Sequence, residues 1–221
     1  MPAPSAPLII AIDGPSASGK GTLARRLAER FGLAHLDTGK LYRATGLGVL
    51  EAGGDPVDPI AAEKAALSLD FSRLAEPRLN AEDVARAASV VAAIPAVRAV
   101  LLDAQRRFAQ HPPPPGKGAV LDGRDIGTVV CPDANVKLFI TASAESRAFR
   151  RVRELRERGL AAIYDHVLQD MRERDARDSE RQVAPLAAAP DAITIDTTLL
   201  DADQAFEQAS KLIARYRALR G

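Results

Sequence analysis

An α/β fold, with one five-stranded parallel sheet flanked by helices, is predicted by three features of the sequence. Short apolar runs recur along the chain, each stopped by Gly, Pro or Asp. These runs are continuously apolar rather than alternating, which is how strands covered on both faces read. Stretches with apolar residues at helical spacing lie between them, and strands separated by helices pair in parallel.

The first run, Leu8 to Ile12, is stopped by Asp13-Gly14-Pro15. A helix follows from Thr22, with Leu23, Leu27 and Phe31 on one side, Arg25, Arg26, Glu29 and Arg30 on the other, and Gly32 as its stop. Leu33 to Leu36 is a second strand ending at Asp37, and Leu41 to Leu50 is helical before Gly53-Gly54. Helices are expected at about 60–68, 81–92 and 96–110, with a possible strand piece near Leu69 to Leu79. This excursion, about 54–118, reads as an insert and closes in the proline tract Pro112 to Pro115. The sheet resumes with Ala119 to Leu121 before Asp122, then Val136 to Thr141, with helix from about Ser143. Ala192 to Ile195 is the fifth strand. Asp201, with Gln204 three residues on, starts a last helix that turns Phe206, Ala209, Leu212, Ile213, Tyr216 and Leu219 to one side.

A chain of 221 residues, 47% hydrophobic, suffices for one sizeable core, so one domain with insertions is expected. Aromatics are 4% and tryptophan is absent, which makes that core aliphatic. Thirty basic against 29 acidic residues leave a net charge of +1, giving no overall field for nucleic acid or an anionic membrane. The single cysteine, Cys131, fits a reducing compartment, and the cytoplasm is the expected one. Met1 to Pro7 has neither a basic start nor an apolar core, so a flexible tail is expected rather than a secretory signal. No run approaches the roughly 18 apolar residues of a membrane span.

Between the first strand and its helix lies Gly14-Pro15-Ser16-Ala17-Ser18-Gly19-Lys20-Gly21-Thr22, the glycine, four residues, glycine and lysine of a phosphate loop. Such a loop needs glycines for close backbone approach to a phosphate and a helix N-terminus for its dipole. Lys20 would neutralise the β- and γ-phosphates of ATP, and Thr22, displaced by Gly21 from the usual hydroxyl position, would hold Mg2+ through the nucleotide. The Gly-Lys-Gly-Thr ending resembles adenylate kinase and its nucleoside monophosphate kinase relatives.

A kinase of small anions must bring two repelling phosphates in line, which calls for arginines converging from several segments. Thr38 and Arg43 in DTGKLYR are candidates for gripping an acceptor phosphate, or an N-cap and a solvated arginine. Asp122-Gly123-Arg124-Asp125 follows the third strand, with Asp122 where a carboxylate would organise magnesium's water, Arg124 toward phosphate and Asp125 free to read a base. The helix after Ser143 carries six arginines; Arg147 and Arg151, one turn apart, are credited with ATP contacts, and the rest with a solvated face. The charged run Arg172 to Arg181 is either an acceptor-binding segment or a salt-bridged surface helix. His35, His111 and His166 are scattered and receive no role.

Taken together and in order, GPSASGKGT, DTGKLYRA, ARAASVVAAIPAVR, LDGRDIGTVV and RERDARDSERQVAPL resemble bacterial cytidylate kinases over nearly the whole chain. The resemblance implies a P-loop kinase fold with an acceptor-binding insert and a short lid at about 153–181, phosphorylating CMP and dCMP from ATP with Mg2+ in pyrimidine metabolism. It implies that Thr38, Arg43, Arg124 and Arg181 contact the acceptor phosphate, that Arg174 and Asp178 hold the sugar hydroxyls, and that Ser89, Arg98 and Asp125 face the cytosine. Lys20, Asp122, Arg124, Arg174 and Arg181 would carry catalysis, and the phosphate loop, Gly14 with Ser16 to Thr22, would bind the donor with Arg147 and Arg151. Against the family pattern, Asp70 to Asn80 is short, so a trimmed insert is expected. A monomer is expected, since no heptad or large apolar face argues for a dimer. The alternatives are a P-loop kinase for shikimate or AMP, a nucleotide sensor without turnover, and an RNA-binding protein using the Arg147 to Arg158 run.

Overall fold

A computed structural model describes residues 7–114 and 116–218; the expected tail, apart from Pro7, lies outside them, as do Pro115 and Leu219. Among the described residues five strands, β1 (Leu8–Asp13), β2 (Ala34–Asp37), β3 (Gly118–Gly123), β4 (Val136–Thr141) and β5 (Ile193–Asp196), form one sheet in the order β2-β3-β1-β4-β5. Every pairing is parallel. The helices that accompany them are α1 (Lys20–Phe31), α2 (Thr38–Glu51), α3 (Pro59–Leu67), α4 (Glu82–Val91), α5 (Pro95–Gln110), α6 (Ala144–Glu157), α7 (Tyr164–Glu180) and α8 (Ala202–Ala218).

The continuous apolarity of the strands is explained by the helices on both faces. Ile10 and Ile12 of β1, Val120 of β3, Leu138 and Ile140 of β4 and Ile195 of β5 pack on Leu23 and Leu27 of α1 and Ala209 and Ile213 of α8. The intervening residues, Ala11, Ala119 and Leu121, point to the other face, toward Leu41 of α2 and Val97 and Leu101 of α5. The end signals also hold. Gly32 stops α1 at φ 64°. Asp201 Oδ1 accepts from Gln204 N at 2.8 Å while Gln204 Oε1 accepts from Asp201 N at 3.0 Å, the reciprocal cap expected for α8.

The strand piece considered near Leu69 to Leu79 is not a strand. Two short 3₁₀ turns, Phe71–Ala75 and Pro77–Asn80, occupy the segment. Asp70 closes the first by accepting from Ser72 N at 2.8 Å, and Pro77, which lacks an N–H, opens the second. Leu79 then packs with Leu47 and Val84, which ties this segment to α2 and α4. Beyond α6 the charged run expected to be either acceptor segment or surface helix is the C-terminal part of α7.

Helices α2 and α4 pack closely because Gly46 faces Ala87 and Ala88; a Cβ on Gly46 would stand 2.9 Å from the Ala88 backbone nitrogen. Gly46→Ala is therefore expected to force the helices apart at a cost of about 1–3 kcal/mol, read as a lowered denaturation midpoint. An unchanged midpoint would mean that this contact relaxes freely.

Candidate active site

The parallel strands all end on one edge, and the register brings three of those ends together: Asp13 pairs with Gly123, and Asp37 with Asp122. Ligands of open α/β sheets gather at such an edge. There β1 turns through residues 14–19 into α1. Gly14 has φ 150°, and a Cβ there would meet the Ile140 carbonyl oxygen at 2.0 Å, so the loop crosses β4 where no side chain fits. Ala17 takes φ 56° and Gly19 φ 90°, so two residues of the loop are left-handed. The Ser16 and Ser18 hydroxyls are enclosed with no hydrogen-bond partner, and Lys20 Nζ donates to the Pro15 carbonyl at 3.1 Å. Burial, then the neighbouring Arg124 guanidinium, push the Lys20 ammonium down to about 7.

Asp122 is buried beside this loop, its Oδ2 3.7 Å from where a Cβ of Gly21 would stand. Its Oδ1 is 2.8 Å from His35 Nε2, so a histidine given no role from the sequence is the partner of a candidate catalytic carboxylate. Burial and then the adjacent Asp122 raise the Asp37 carboxyl above its ordinary value. Thr22 lies on the exposed side of α1's first turn. Among the described residues no group of three or more His, Cys, Asp or Glu forms a metal cage. Two carboxylates beside a phosphate loop suit a magnesium ion that keeps most of its water and arrives on phosphates.

Cations surround the mouth of the loop. Arg124 Nε donates to Asp178 Oδ2 at 2.8 Å, and Arg181 Nη1 lies 3.9 Å from Asp178 Oδ1. Arg174 Nε and Arg181 Nη2 are enclosed without a hydrogen-bond partner. Burial, followed by the repulsion of Arg124, brings the Arg174 guanidinium down to about 9. Arg43, which donates to the Leu79 carbonyl at 2.8 Å, is likewise lowered by burial and by Arg151. Arg147 is buried, donating to Ser16 O at 3.2 Å and pairing with Asp175 at 2.5 Å. Arg151 pairs instead with Glu82 of α4 and Glu154. The two arginines one turn apart therefore face different neighbours, the phosphate loop and the insert. In α7, Asp178 is buried and Arg174 and the adjoining Arg181 are half-buried, while Arg172 pairs with Glu145 at the surface, so the run is a salt-bridged surface helix on one side and turned inward on the other.

On the far side, Thr38 Oγ1 donates to the Asp122 carbonyl at 2.8 Å. Arg98 of α5 pairs with Asp125, and both are buried. A cavity of about 200 Å³ bordered by Tyr42, Arg98, Gln105, Asp125 and Val183 adjoins the pair. Ser89 accepts from Arg177 of α7 at 2.6 Å, a partner the sequence did not suggest. Asp13, read from the sequence merely as the end of a strand, is 4% exposed and binds the backbone beyond Asp125.

A parallel sheet, a glycine loop ending in a half-buried lysine, a carboxylate beside it and convergent arginines define a P-loop phosphotransferase. The chain belongs to the cytidylate kinase family, whose sequence model matches residues 10–215. It is similar to proteins named cytidylate kinase from Paramagnetospirillum magneticum, 62% identical over 95% of this chain and 99% of that one. A second, from Rhodospirillum rubrum, is 59% identical over 94% and 97%. Two crystal structures share the fold alone. An uncharacterized protein from Eubacterium ventriosum has a TM-score of 0.51 at 16% identity, covering 94% of this chain and 98% of that one. An unliganded sugar kinase from Janibacter has 0.50 at 14%, covering 94% and 95%.

A polyphosphate beside Lys20 would restore its ordinary affinity for a proton. Nucleotide binding is therefore expected to take up protons between about pH 7 and 10, with ATP affinity falling as pH rises through about 7. Calorimetry in buffers of different ionisation enthalpy measures this, and Lys20→Met should abolish the uptake; binding without uptake at pH 8 would place Lys20 away from the phosphates.

Proposed function

We propose that this protein transfers the γ-phosphoryl group of ATP directly to the phosphate of CMP or dCMP, giving CDP or dCDP, in line and without a covalent enzyme intermediate. The observation that carries this at the site is the crowding of Lys20, Arg43, Arg124 and Arg174, three of them with lowered proton affinity, beside a phosphate loop. Cations forced together out of water match a pair of phosphates better than any neutral ligand. The acceptor phosphate oxygen is already nucleophilic, so the chain needs no general base.

In this reading the phosphate loop, Gly14 and Ser16 to Thr22, holds the donor phosphates through Lys20 and the enclosed Ser16 and Ser18 hydroxyls, with Arg147 alongside and Arg151 after it leaves Glu82. Magnesium bound with ATP supplies further neutralisation of the transferring group; Asp122 and Asp37 stand ready for its waters and Thr22 for its hydroxyl contact. Thr38, Arg43, Arg124 and Arg181 take the acceptor phosphate, and Arg174 and Asp178 the sugar. Burial alone would raise Asp178, but Arg124 and Arg174 outweigh it and keep the carboxyl below its ordinary value, charged for that task. Ser89, Arg98 and Asp125 face the cytosine. Its exocyclic amine donates while N3 and O2 accept, which suits an aspartate, an arginine and a hydroxyl, whereas uracil would leave Asp125 facing an oxygen.

The chain works as one kinase domain with an acceptor insert at about 54–118 and a lid at about 153–181. The contact of Arg177 with Ser89 joins lid to insert, and that of Arg151 with Glu82 joins α6 to the insert just before the lid, the closure that would exclude water from ATP. We read it as a cytoplasmic monomer without nucleic-acid or membrane partners; no single helix among the described residues is long and apolar enough to cross a membrane.

The test is ADP production from Mg-ATP with CMP, dCMP, UMP, AMP and shikimate in parallel. CMP and dCMP are expected to turn over far faster than the others, and Arg124→Ala to lower kcat by about 10²–10³. Failure of every monophosphate to accelerate ADP release would overturn the proposal.

A further inference from the structure

Asp13 belongs to neither set of substrate residues, yet it joins the two. Its Oδ1 accepts from Ile126 N and its Oδ2 from Gly127 N, each at 2.7 Å, across 113 and 114 residues of sequence. Those two amides open the tight turn Ile126–Val130 directly after Asp125. The Asp125 carbonyl accepts from Val129 N at 2.9 Å and Val130 N at 3.1 Å, so the turn it begins is pinned at both ends. The residue after Asp13 is Gly14, where the phosphate loop starts.

We infer that Asp13 is a positioning residue for base recognition: its two carboxylate bonds fix Asp125, and with it Arg98, relative to the phosphate loop, so that cytosine is read in register with the phosphate being transferred. This rests on the assignment of Asp125 to the cytosine made above. Two backbone donors need two acceptor oxygens, and the ionised carboxylate alone supplies them. A protonated acid, or an amide, turns an O–H or N–H toward one of the donors and loses that bond.

The acid form lies within reach of ordinary conditions. Burial raises the Asp13 carboxyl to about 6, even though the Gly127 and Ile126 amides oppose the shift. The charged groups facing it are Asp125, which raises it further, and Lys20, which lowers it. Lys137 of β4 runs along Gly127, its Cδ 3.2 Å from where a Cβ would stand, while its Nζ is held by Asp191 at 2.8 Å. The nearby Cys131 thiol, raised by burial to about 11, stays neutral throughout.

The experiment measures the ratio of kcat/KM for CMP to that for UMP between pH 5 and 8, in which titration of the acceptors' own phosphates cancels. ATP affinity is followed separately by equilibrium binding of a fluorescent analogue. The wild-type ratio is expected to fall about tenfold as pH drops through about 6, the worth of one buried hydrogen bond. Asp13→Asn should hold the low ratio at every pH, with ATP affinity within about twofold of wild type. An Asp13→Asn ratio equal to wild type at pH 8, or a loss of ATP binding as large as the loss in CMP turnover, overturns the inference. Asp125→Asn is assayed alongside. If it collapses the ratio and Asp13→Asn does not, the base assignment stands and the positioning role fails; if it leaves the ratio intact, both fall. Asp13→Ser, which keeps one acceptor oxygen, takes the place of Asp13→Asn should that variant not fold, and the same outcomes decide.

Discussion

Holding several cations in one dry place is the constraint on which the rest of this structure depends. Lys20 and Arg174 each lose hydration and each is repelled by Arg124, as the lowered proton affinities of Lys20 and Arg174 record. Unpaired charges of this kind are expensive to bury, so the fold supplies carboxylates at intervals: Asp178 against Arg124, Asp175 against Arg147 and Asp125 against Arg98. These pairs offset the charge of the cluster yet leave Arg174 Nε and Arg181 Nη2 without a hydrogen-bond partner. The result is a site preset for anions whose charge is already in place before a substrate arrives.

The sheet makes such a cluster possible. Because β1, β2 and β3 are parallel and in register, Asp13, Asp37 and Asp122 reach the same edge from three separate parts of the sequence. Helices on both faces bury β1 and β3, so their ends are rigid platforms rather than frayed loops. The insert and α7 then close over that edge from opposite sides. The close approach of α2 to α4 at Gly46 sets where Ser89 stands, and the contact of Arg177 with Ser89 sets where α7 meets it.

Much of this was legible from local signals. The apolar runs marked all five strands to within a residue or two, the glycine loop marked the turn from β1 into α1, and Asp201 with Gln204 marked the start of α8, because each is a short-range effect of spacing, backbone freedom or capping. The stretch 69–79 misled for the same reason: its leucines suggested a strand, but Asp70 and Pro77 open turns around them. His35 passed without a role because a lone histidine in an edge strand carries no signal until its neighbour across the ladder is known.

By itself the sequence determined the layered architecture, the phosphate loop and the residues that resemble a cytidylate kinase, since these depend on residue type and nearest neighbours along the chain. The tertiary structure decided which charges meet. That Arg151 faces Glu82 rather than the loop, that Arg177 rather than solvent bonds Ser89, and that Asp13 holds the turn after Asp125 are all contacts across 69 to 114 residues. Such pairings are fixed by how strands register and helices pack, and side chains that point the same way in sequence can be turned to different partners once burial removes the water between them.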